Sequence, residues 1–141
     1  MQRTATAVWN GGLKDGKGAL TTQSGVLSTT PYSFVTRFED KKGTNPEELI
    51  AAAHAGCFTM ALSAQLGTMN FTAEKLVTTA TVTLENLAGN WTISKIHLDL
   101  AAKIPGITAA AFDTAANGAK ANCPVSRLLK AEITLTAKLE Q

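Results

Sequence analysis

The feature that most constrains the fold is a long apolar stretch in the middle of the chain. No Asp, Glu, Lys or Arg occurs from Leu49 to Leu66. The large apolar side chains point around a helix rather than along one stripe, which is typical of a helix that is buried on all sides or spans a membrane. Polar residues such as His54 and Gln65 argue against lipid, although the length is close to the spanning threshold. We therefore predict a buried central helix, in which small residues such as Gly56 let another helix approach closely.

The four residues Asn45-Pro46-Glu47-Glu48 predict where this helix begins. Asn45 can accept hydrogen bonds from the free N–H groups of the first turn, and Pro46 loses nothing at the first helical position. The two acids that follow suit the positive end of the helix dipole. Glu48, three residues after the cap, can accept a hydrogen bond from the backbone N–H of the cap residue, as in a capping box. The carboxylate of Glu47 is then available for another partner.

Length and composition favour one cytoplasmic domain. A chain of 141 residues with a formal net charge of +2 fits a single domain, 1–141, that needs no disulfide staples. The charge is too weak to suggest nucleic acid or a membrane surface as a partner. The N-terminus lacks the apolar run of a signal peptide, so we expect a reducing cytoplasm, where structural disulfides are uncommon. The two cysteines are then either buried thiols or a working redox pair.

Three strands are predicted before the central helix. Residues 3–9 and 19–24 flank a Gly-rich turn and indicate a hairpin. A third strand is predicted from Tyr32 to Phe38, with the aromatic side chains on one face and Arg37 on the other.

Strands and helices are also predicted after the central helix. Alternating residues 75–85 form a strand, and the strand beginning at Trp91 changes its buried parity near Ser94-Lys95, which indicates a β-bulge. Thr108 caps a second helix, and residues 131–139 alternate as a last strand. This order predicts an α+β fold with antiparallel sheets around the central helix, not an alternating βαβ series. Because six strands do not suffice to cover an apolar helix on every side, we also predict a homodimer in which two central helices pack together.

The two cysteines occupy different local environments. Cys57 lies within the central helix, where a free cysteine is usually a small buried hydrophobic residue. Cys123 precedes Pro124 at the predicted start of a short helix, a position that lowers the pKa of a thiol. On local grounds Cys123 is therefore the better thiolate, and a reactive Cys57 needs a cation from elsewhere in the fold.

Arg37 is the best candidate for this cation, and Glu47 for its partner. Each also has an ordinary interpretation, since strand arginines are mostly solvated and acids in a first turn complement the helix dipole. Glu47 and Cys57 are ten residues apart on one helix, about 15 Å along its axis. If the two cooperate, the partner subunit supplies Glu47 and, with it, Arg37.

A structural zinc site is an alternative use of the same thiols. His54 precedes Cys57 by one helical turn, and Cys123 offers a second sulfur. Two sulfurs and one imidazole fall one ligand short of a structural tetrahedron, and the spacing is not that of a zinc finger.

The chain resembles the osmotically inducible / organic hydroperoxide resistance (OsmC/Ohr) family over nearly its whole length. The motifs that carry the likeness are Thr36-Arg37-Phe38, the segment 42–49, Ala53-His54-Ala55-Gly56-Cys57-Phe58 with Met60-Ala61-Leu62, and Cys123-Pro124-Val125-Ser126. The extended N-terminal hairpin and the stretches 24–27 and 31–32 resemble the OsmC branch. Gly56 departs from the family, where alanine is more usual.

The resemblance implies an intertwined α+β homodimer and a thiol-dependent peroxidase without haem or metal. Cys57 would be the peroxidatic thiolate and Cys123 the resolving thiol, joined in a disulfide after a sulfenic acid forms on Cys57. Arg37 would stabilise the thiolate and orient the peroxide, and Glu47 would hold Arg37. Organic or lipid hydroperoxides would be the substrates and a dithiol, a lipoylated protein, the reductant. Apolar lining for such substrates is available from Tyr32, Phe34, Phe38, Phe58 and Phe71.

A second hypothesis uses the same disulfide without catalysis. In that case the chain is a redox sensor or binding module that is oxidised once per event. Steady-state consumption of an organic hydroperoxide by a small amount of the protein with a dithiol separates the two hypotheses.

Overall fold

The computed structural model describes residues 1–39 and 41–140. The chain falls into two compact units, residues 1–49 and 50–141. The first holds a three-stranded sheet and a short helix, and the second a three-stranded sheet and two helices. Helix α2 (Pro46–Thr68) begins in the first unit and continues in the second.

The sheet of the N-terminal unit confirms the predicted hairpin. Its strands β1 (Ala5–Asn10), β2 (Lys17–Thr22) and β3 (Thr30–Tyr32) pair antiparallel in that order. Gly18 of β2 leaves room for an aromatic ring, since a Cβ at this position would collide with the Tyr32 ring.

The predicted third strand is wrong beyond Tyr32, because a helix α1 (Phe34–Phe38) follows. Ser33 and Thr36 form a capping box that starts it. The Thr36 N–H donates to the Ser33 hydroxyl at 3.2 Å, and the Ser33 N–H donates to the Thr36 hydroxyl at 2.8 Å. These reciprocal bonds satisfy free donors of the first turn and outweigh the strand preference of the aromatic residues. Arg37 consequently lies in the last turn of a helix.

The beginning of α2 is as predicted. Pro46 is its first residue, and the Glu48 N–H donates to Asn45 Oδ1 at 2.8 Å. The carboxylate of Glu48 accepts a hydrogen bond from the Thr44 hydroxyl at 3.2 Å. Glu48 therefore serves the helix start, and Glu47 keeps its carboxylate for another partner.

The sheet of the C-terminal unit contains one parallel pair, so the prediction of antiparallel sheets alone is wrong. Strands β4 (Lys75–Leu87) and β5 (Asn90–Lys103) pair antiparallel, but β5 and β6 (Glu132–Glu140) pair parallel. The reason is the crossover between them, which consists of α3 (Ala109–Asn122) and α4 (Pro124–Leu128). Such a connection carries the chain from the end of β5 back across the sheet, so that β6 can run in the same direction as β5.

The predicted β-bulge is confirmed at Ser94. Thr83 pairs with Lys95 and Leu84 pairs with Ile93, so Ser94 is the extra residue. The bulge changes which parity of β5 faces inward. The core-facing residues beyond it are Ile96, Leu98, Leu100 and Ala102.

Helix α2 is buried along one stripe of this chain rather than all round as predicted. The stripe repeats every four residues and comprises His54, Phe58, Leu62 and Leu66. It packs in one core with Leu98 and Leu100 of β5 and Phe112 of α3. The opposite side is open, and Met60 is 76% exposed. Among the described residues, α2 is the one helix long and apolar enough to cross a bilayer, a property that the core helices of soluble proteins share.

Candidate active site

The two thiols meet in the C-terminal unit. Cys123 Sγ donates to Cys57 Sγ at a distance of 2.9 Å, although 66 residues separate them. Both cysteines are free. Because a disulfide bond is about 2.05 Å long, the sulfurs need to approach by less than about 1 Å to become bonded. The pair is therefore arranged for reversible oxidation within one chain.

Cys123 is fixed by two helices at once. It ends α3, where its N–H donates to Ala119 O at 2.9 Å, and it begins α4, where its carbonyl accepts from the Arg127 N–H at 3.0 Å. Pro124 occupies the first position of α4, as the sequence predicts. The Cys123 side chain is fully buried, whereas Cys57 is partly exposed. A reagent arriving from solvent can therefore reach Cys57 before Cys123.

The environment separates the two thiols electrostatically. Burial raises the pKa of Cys57, and the hydrogen bond with Cys123, in which the Cys57 thiol is the donor once Cys123 is ionised, raises it further. Burial also tends to raise the pKa of Cys123, but the neighbouring Cys57 thiol, the Ser126 hydroxyl and N–H and the Val125 N–H outweigh this effect, so that the pKa is lowered overall. The position before α4 thus favours the Cys123 thiolate, in agreement with the local reading of the sequence.

A buried histidine lies one helical turn from Cys57. His54 is fully buried, and its Nε2 lies 2.8 Å from the Ser126 hydroxyl. Its Nδ1 is buried without a hydrogen-bond partner among the described residues. Burial lowers the pKa of His54, so the ring is neutral at pH 7. The sequence hypotheses included Ser126 in a family motif but gave it no role, although its three-residue spacing from Cys123 mirrors the spacing of His54 from Cys57.

This contact also bears on the zinc hypothesis. The imidazole Nε2 is directed at Ser126 rather than toward both sulfurs. Within residues 1–39 and 41–140, no three His, Cys, Asp or Glu side chains are grouped to hold a metal ion. The structure therefore gives the zinc hypothesis no support.

Arg37 and Glu47 form an ion pair in the N-terminal unit. Arg37 Nε donates to Glu47 Oε2 at 3.1 Å, and Nη2 donates to Oε1 at 2.6 Å. This two-point contact fixes the plane of the guanidinium. The Glu47 side chain is 13% exposed and that of Arg37 36%. The guanidinium is thus oriented by the carboxylate but remains accessible to a ligand.

An apolar cavity adjoins Arg37. Its volume is about 260 Å³. It is lined chiefly by Trp9, Leu13, Tyr32, Phe34, Phe38 and Arg37. Three of the aromatic residues expected as lining are therefore at this cavity, whereas Phe58 is buried in the core and Phe71 lines a different groove. The sequence hypotheses missed Trp9 and Leu13, which reach the cavity from the hairpin.

The structure brings together two of the expected pairs, Cys57 with Cys123 and Arg37 with Glu47. The thiols belong to the C-terminal unit, and the ion pair and its cavity belong to the N-terminal unit. That both pairs act on one substrate stays a prediction.

Comparisons with known proteins were made with the sequence and with the fold. A profile of the family described as OsmC-like protein matches residues 39–138. The chain is 51% identical over 140 residues to Peroxiredoxin OsmC of Escherichia coli (strain K12), covering 99% of this chain and 98% of the relative. It is 30% identical over 101 residues to Organic hydroperoxide resistance protein OhrA of Bacillus subtilis (strain 168), covering 72% and 70%. The solved OsmC-like protein of Mycoplasma pneumoniae has the same fold, with a TM-score of 0.79 at 16% identity and coverage of 100% and 99%.

The buried His54 leads us to predict a stability that decreases in mild acid. Because burial lowers its pKa, the unfolded chain takes up a proton near its ordinary pKa of about 6.5 while the folded chain does not. The free energy of unfolding should decrease below that pH, by at most about 1.4 kcal/mol per pH unit from this group. Urea denaturation between pH 7.5 and 5, at fixed protein concentration, measures the slope.

The matched variants are His54→Gln and His97→Gln. Glutamine keeps an N–H donor near the position of Nε2 but does not titrate, so His54→Gln should flatten the slope. His97→Gln leaves His54 in place and should keep it. An unchanged slope in His54→Gln would contradict the prediction.

Proposed function

The chain belongs to the OsmC-like protein family, and we propose that it is a cysteine-based peroxidase that reduces organic hydroperoxides in stress defence. The observation that carries the proposal is the contact between the Cys57 and Cys123 sulfurs at 2.9 Å. It supplies the two thiols that a peroxidase without a redox cofactor needs, one to accept oxygen and one to remove it. The names of the relatives, Peroxiredoxin OsmC and Organic hydroperoxide resistance protein OhrA, agree with this chemistry.

The proposed reaction has two steps on the protein. The Cys57 thiolate attacks the terminal oxygen of the hydroperoxide, the O–O bond breaks, and the released alkoxide takes a proton to become an alcohol. The Cys123 sulfur then attacks the Cys57 sulfenic acid, the S–S bond forms, and hydroxide leaves and is protonated to water. A dithiol supplies two electrons and two protons to restore both thiols. The disulfide forms before further oxidation of Cys57 can occur.

The different solvent exposure of the two thiols supports the roles that we propose for them. Cys57 is partly exposed, whereas Cys123 is fully buried, so the peroxide meets Cys57. The raised pKa of Cys57 means that its thiolate needs a positive neighbour. We propose Arg37 for this role, held by Glu47, because guanidinium stays charged and its second edge can orient the peroxide. The separation of Glu47 and Cys57 on one helix leads us to assign the acting pair to the partner subunit.

The substrate class is proposed from the cavity beside Arg37. Its lining is mostly apolar, and half of the lining residues are aromatic, which suits the alkyl or aryl part of a hydroperoxide. The guanidinium at its wall suits the polar peroxide group.

A homodimer is proposed from the open side of α2. Met60 is 76% exposed there, and no atom of the described residues outside the helix's own backbone lies within 4 Å of the position that a Cβ on Gly56 or Gly67 would occupy. An apolar helix face with small residues suits close packing against an identical helix. This dimer would give α2 the burial that its composition predicts.

The reductant and the compartment are proposed on chemical grounds. A dithiol suits the reaction because it can attack the disulfide and then close into its own disulfide. The lipoyl group of a lipoylated protein is such a dithiol, and we propose it as the reductant. The cycle also requires a reducing compartment, which agrees with the expected cytoplasm.

The redox-sensor alternative uses the same sulfur contact. It differs only in turnover, because a sensor consumes one equivalent of peroxide per chain. The enzyme should consume cumene hydroperoxide in large excess over protein in the presence of dihydrolipoate.

The first prediction separates the roles of the thiols. Cys57→Ser should abolish turnover, because it removes the attacking sulfur. Cys123→Ser should keep the first oxidation and then accumulate sulfinic acid on Cys57, which mass spectrometry after peroxide addition detects. Turnover that survives in Cys57→Ser would contradict the assignment.

The second prediction concerns the ion pair. Glu47→Gln should lower kcat/KM for cumene hydroperoxide about tenfold or more, because the guanidinium loses a charge-assisted contact. Glu48→Gln is the matched control, since its carboxylate lies one position along the same helix and bonds Thr44 instead. Equal losses in both variants would indicate a general effect on the helix start rather than a role for Glu47.

The third prediction concerns the dimer. Sedimentation at micromolar concentration should give a mass of two chains. Met60→Asp should shift it toward one chain, because a carboxylate cannot be buried unpaired in an apolar interface. Leu87→Asp, at an exposed hairpin tip, should not. A stable wild-type monomer would count against the dimer.

A further inference from the structure

Helices α2 and α4 meet through two side-chain pairs that lie one helical turn apart. Cys57 contacts Cys123 at 2.9 Å, and His54 contacts Ser126 at 2.8 Å. His54 comes three residues before Cys57, and Ser126 three residues after Cys123. Residues three apart share a helix face, so both pairs belong to one contact surface. The second pair has no part in the two-step reaction given above.

The hydrogen-bonding partners of His54 and Ser126 indicate where the imidazole hydrogen and the hydroxyl hydrogen lie. The neutral imidazole of His54 carries one N–H. Its Nδ1 is buried without a partner among the described residues. An orphaned buried N–H is rarer in proteins than an orphaned acceptor, which places the hydrogen on Nε2, the atom that faces Ser126. The imidazole then donates to the Ser126 oxygen, and the hydroxyl hydrogen is left to point elsewhere.

Cys123 precedes Ser126 by three residues at the start of α4, so its sulfur and the Ser126 hydroxyl lie on the same side of this turn. The Ser126 hydroxyl and N–H both stabilise the thiolate form of Cys123, as does the N–H of Val125. Cys123 is fully buried and therefore without the water that would otherwise stabilise a thiolate. Fixed donors from α4 take the place of that water.

We propose that His54 and Ser126 are positioning residues for the resolving step, in which His54 holds the Ser126 hydroxyl as a hydrogen-bond donor to the attacking Cys123 sulfur. The inference rests on the proposed peroxidase function and deepens it. The Cys123 thiolate attacks the sulfur of the Cys57 sulfenic acid, the S–S bond forms and the S–O bond breaks. The hydroxide that leaves takes up the proton that Cys123 gave up and becomes water. No further oxidant or reductant enters this step.

This positioning role explains why a polar imidazole, that of His54, is buried where stability alone would favour an apolar side chain. A buried histidine with one unpartnered nitrogen costs stability, and a leucine of similar size would fill the same space without that cost. As a fixed donor, the histidine prevents the Ser126 hydroxyl from turning its hydrogen away from the sulfur. A histidine that acted as a base would instead have to carry a charge in a buried site, which its lowered pKa opposes.

The test follows the two oxidation steps separately. The full-length protein is mixed with one equivalent of cumene hydroperoxide, and aliquots are quenched with dimedone and a thiol alkylator for mass spectrometry. Ser126→Ala and His54→Leu should form the sulfenic acid at the wild-type rate and convert it to the disulfide about tenfold more slowly or worse, the loss expected for one hydrogen bond to a charged group. His54→Gln, which keeps a donor, should resolve at nearly the wild-type rate.

A second histidine–hydroxyl pair provides the matched control. His97 Nδ1 lies 2.6 Å from the Thr134 hydroxyl, between β5 and β6 of the same unit. His97→Leu and Thr134→Ala remove the same groups away from the thiols and should leave both steps unchanged.

The outcomes separate this inference from the proposed function. Wild-type resolution in Ser126→Ala, or a His54→Gln variant as slow as His54→Leu, overturns the inference and leaves the peroxidase intact. Failure of the wild-type protein to form any sulfenic acid overturns the peroxidase and the resolving role with it.

A second experiment measures the titration of the Cys123 thiol directly and does not require peroxide. In Cys57→Ser, Cys123 is the remaining one of two cysteines, so thiolate absorbance at 240 nm reports it directly. Adding Ser126→Ala should move the titration midpoint upward by about one pH unit. Adding Thr134→Ala should not move it. An unchanged midpoint with Ser126→Ala would reject the role of the serine, because a purely structural role predicts a change in melting temperature alone.

Discussion

The chemistry depends on the packing of α2 against the crossover that contains α3 and α4. One stripe of α2 is buried in the core of the C-terminal unit, and this packing holds Cys57 where α4 begins. Cys123 is fixed at the same place because it ends one helix and starts the next. Neither backbone can move without disturbing the core, so the sulfur–sulfur contact is a property of the fold rather than of a mobile loop. The same packing leaves Cys57 partly exposed and buries Cys123, a difference on which their proposed roles rest.

Polar groups at the helix starts are divided between support and chemistry. Around α2, Asn45 and Glu48 satisfy the backbone and the neighbouring hydroxyl, and this leaves Glu47 to hold Arg37. Around α4, the free N–H groups of the first turn stabilise the Cys123 thiolate instead of a capping side chain. One helix start is thus capped by side chains, while the other has no side-chain cap and its N–H groups lower the pKa of the adjacent thiol.

Local signals were sufficient for much of the fold and insufficient for the site. Asn45 and its neighbours predicted the start of α2 because capping depends on adjacent residues. The strand predicted beyond Tyr32 was wrong because aromatic alternation was given more weight than the Ser33 and Thr36 capping box. The parallel pair was missed because strand direction depends on the path of the whole connection. The pairing of the cysteines came from family resemblance, since no periodicity links residues 66 apart, and Ser126 was given no role for the same reason.

The crossover between the parallel strands has a consequence for synthesis of the chain. The thiol contact joins residues 66 apart, and Cys123 lies in the connection to the final strand. Loop closure of that length is slow compared with helix formation. Until Cys123 has been added and the crossover has packed against α2, Cys57 has no neighbouring sulfur. The proposed Cys57–Cys123 disulfide therefore cannot form on an incomplete chain, and reducing conditions protect Cys57 until the crossover is in place.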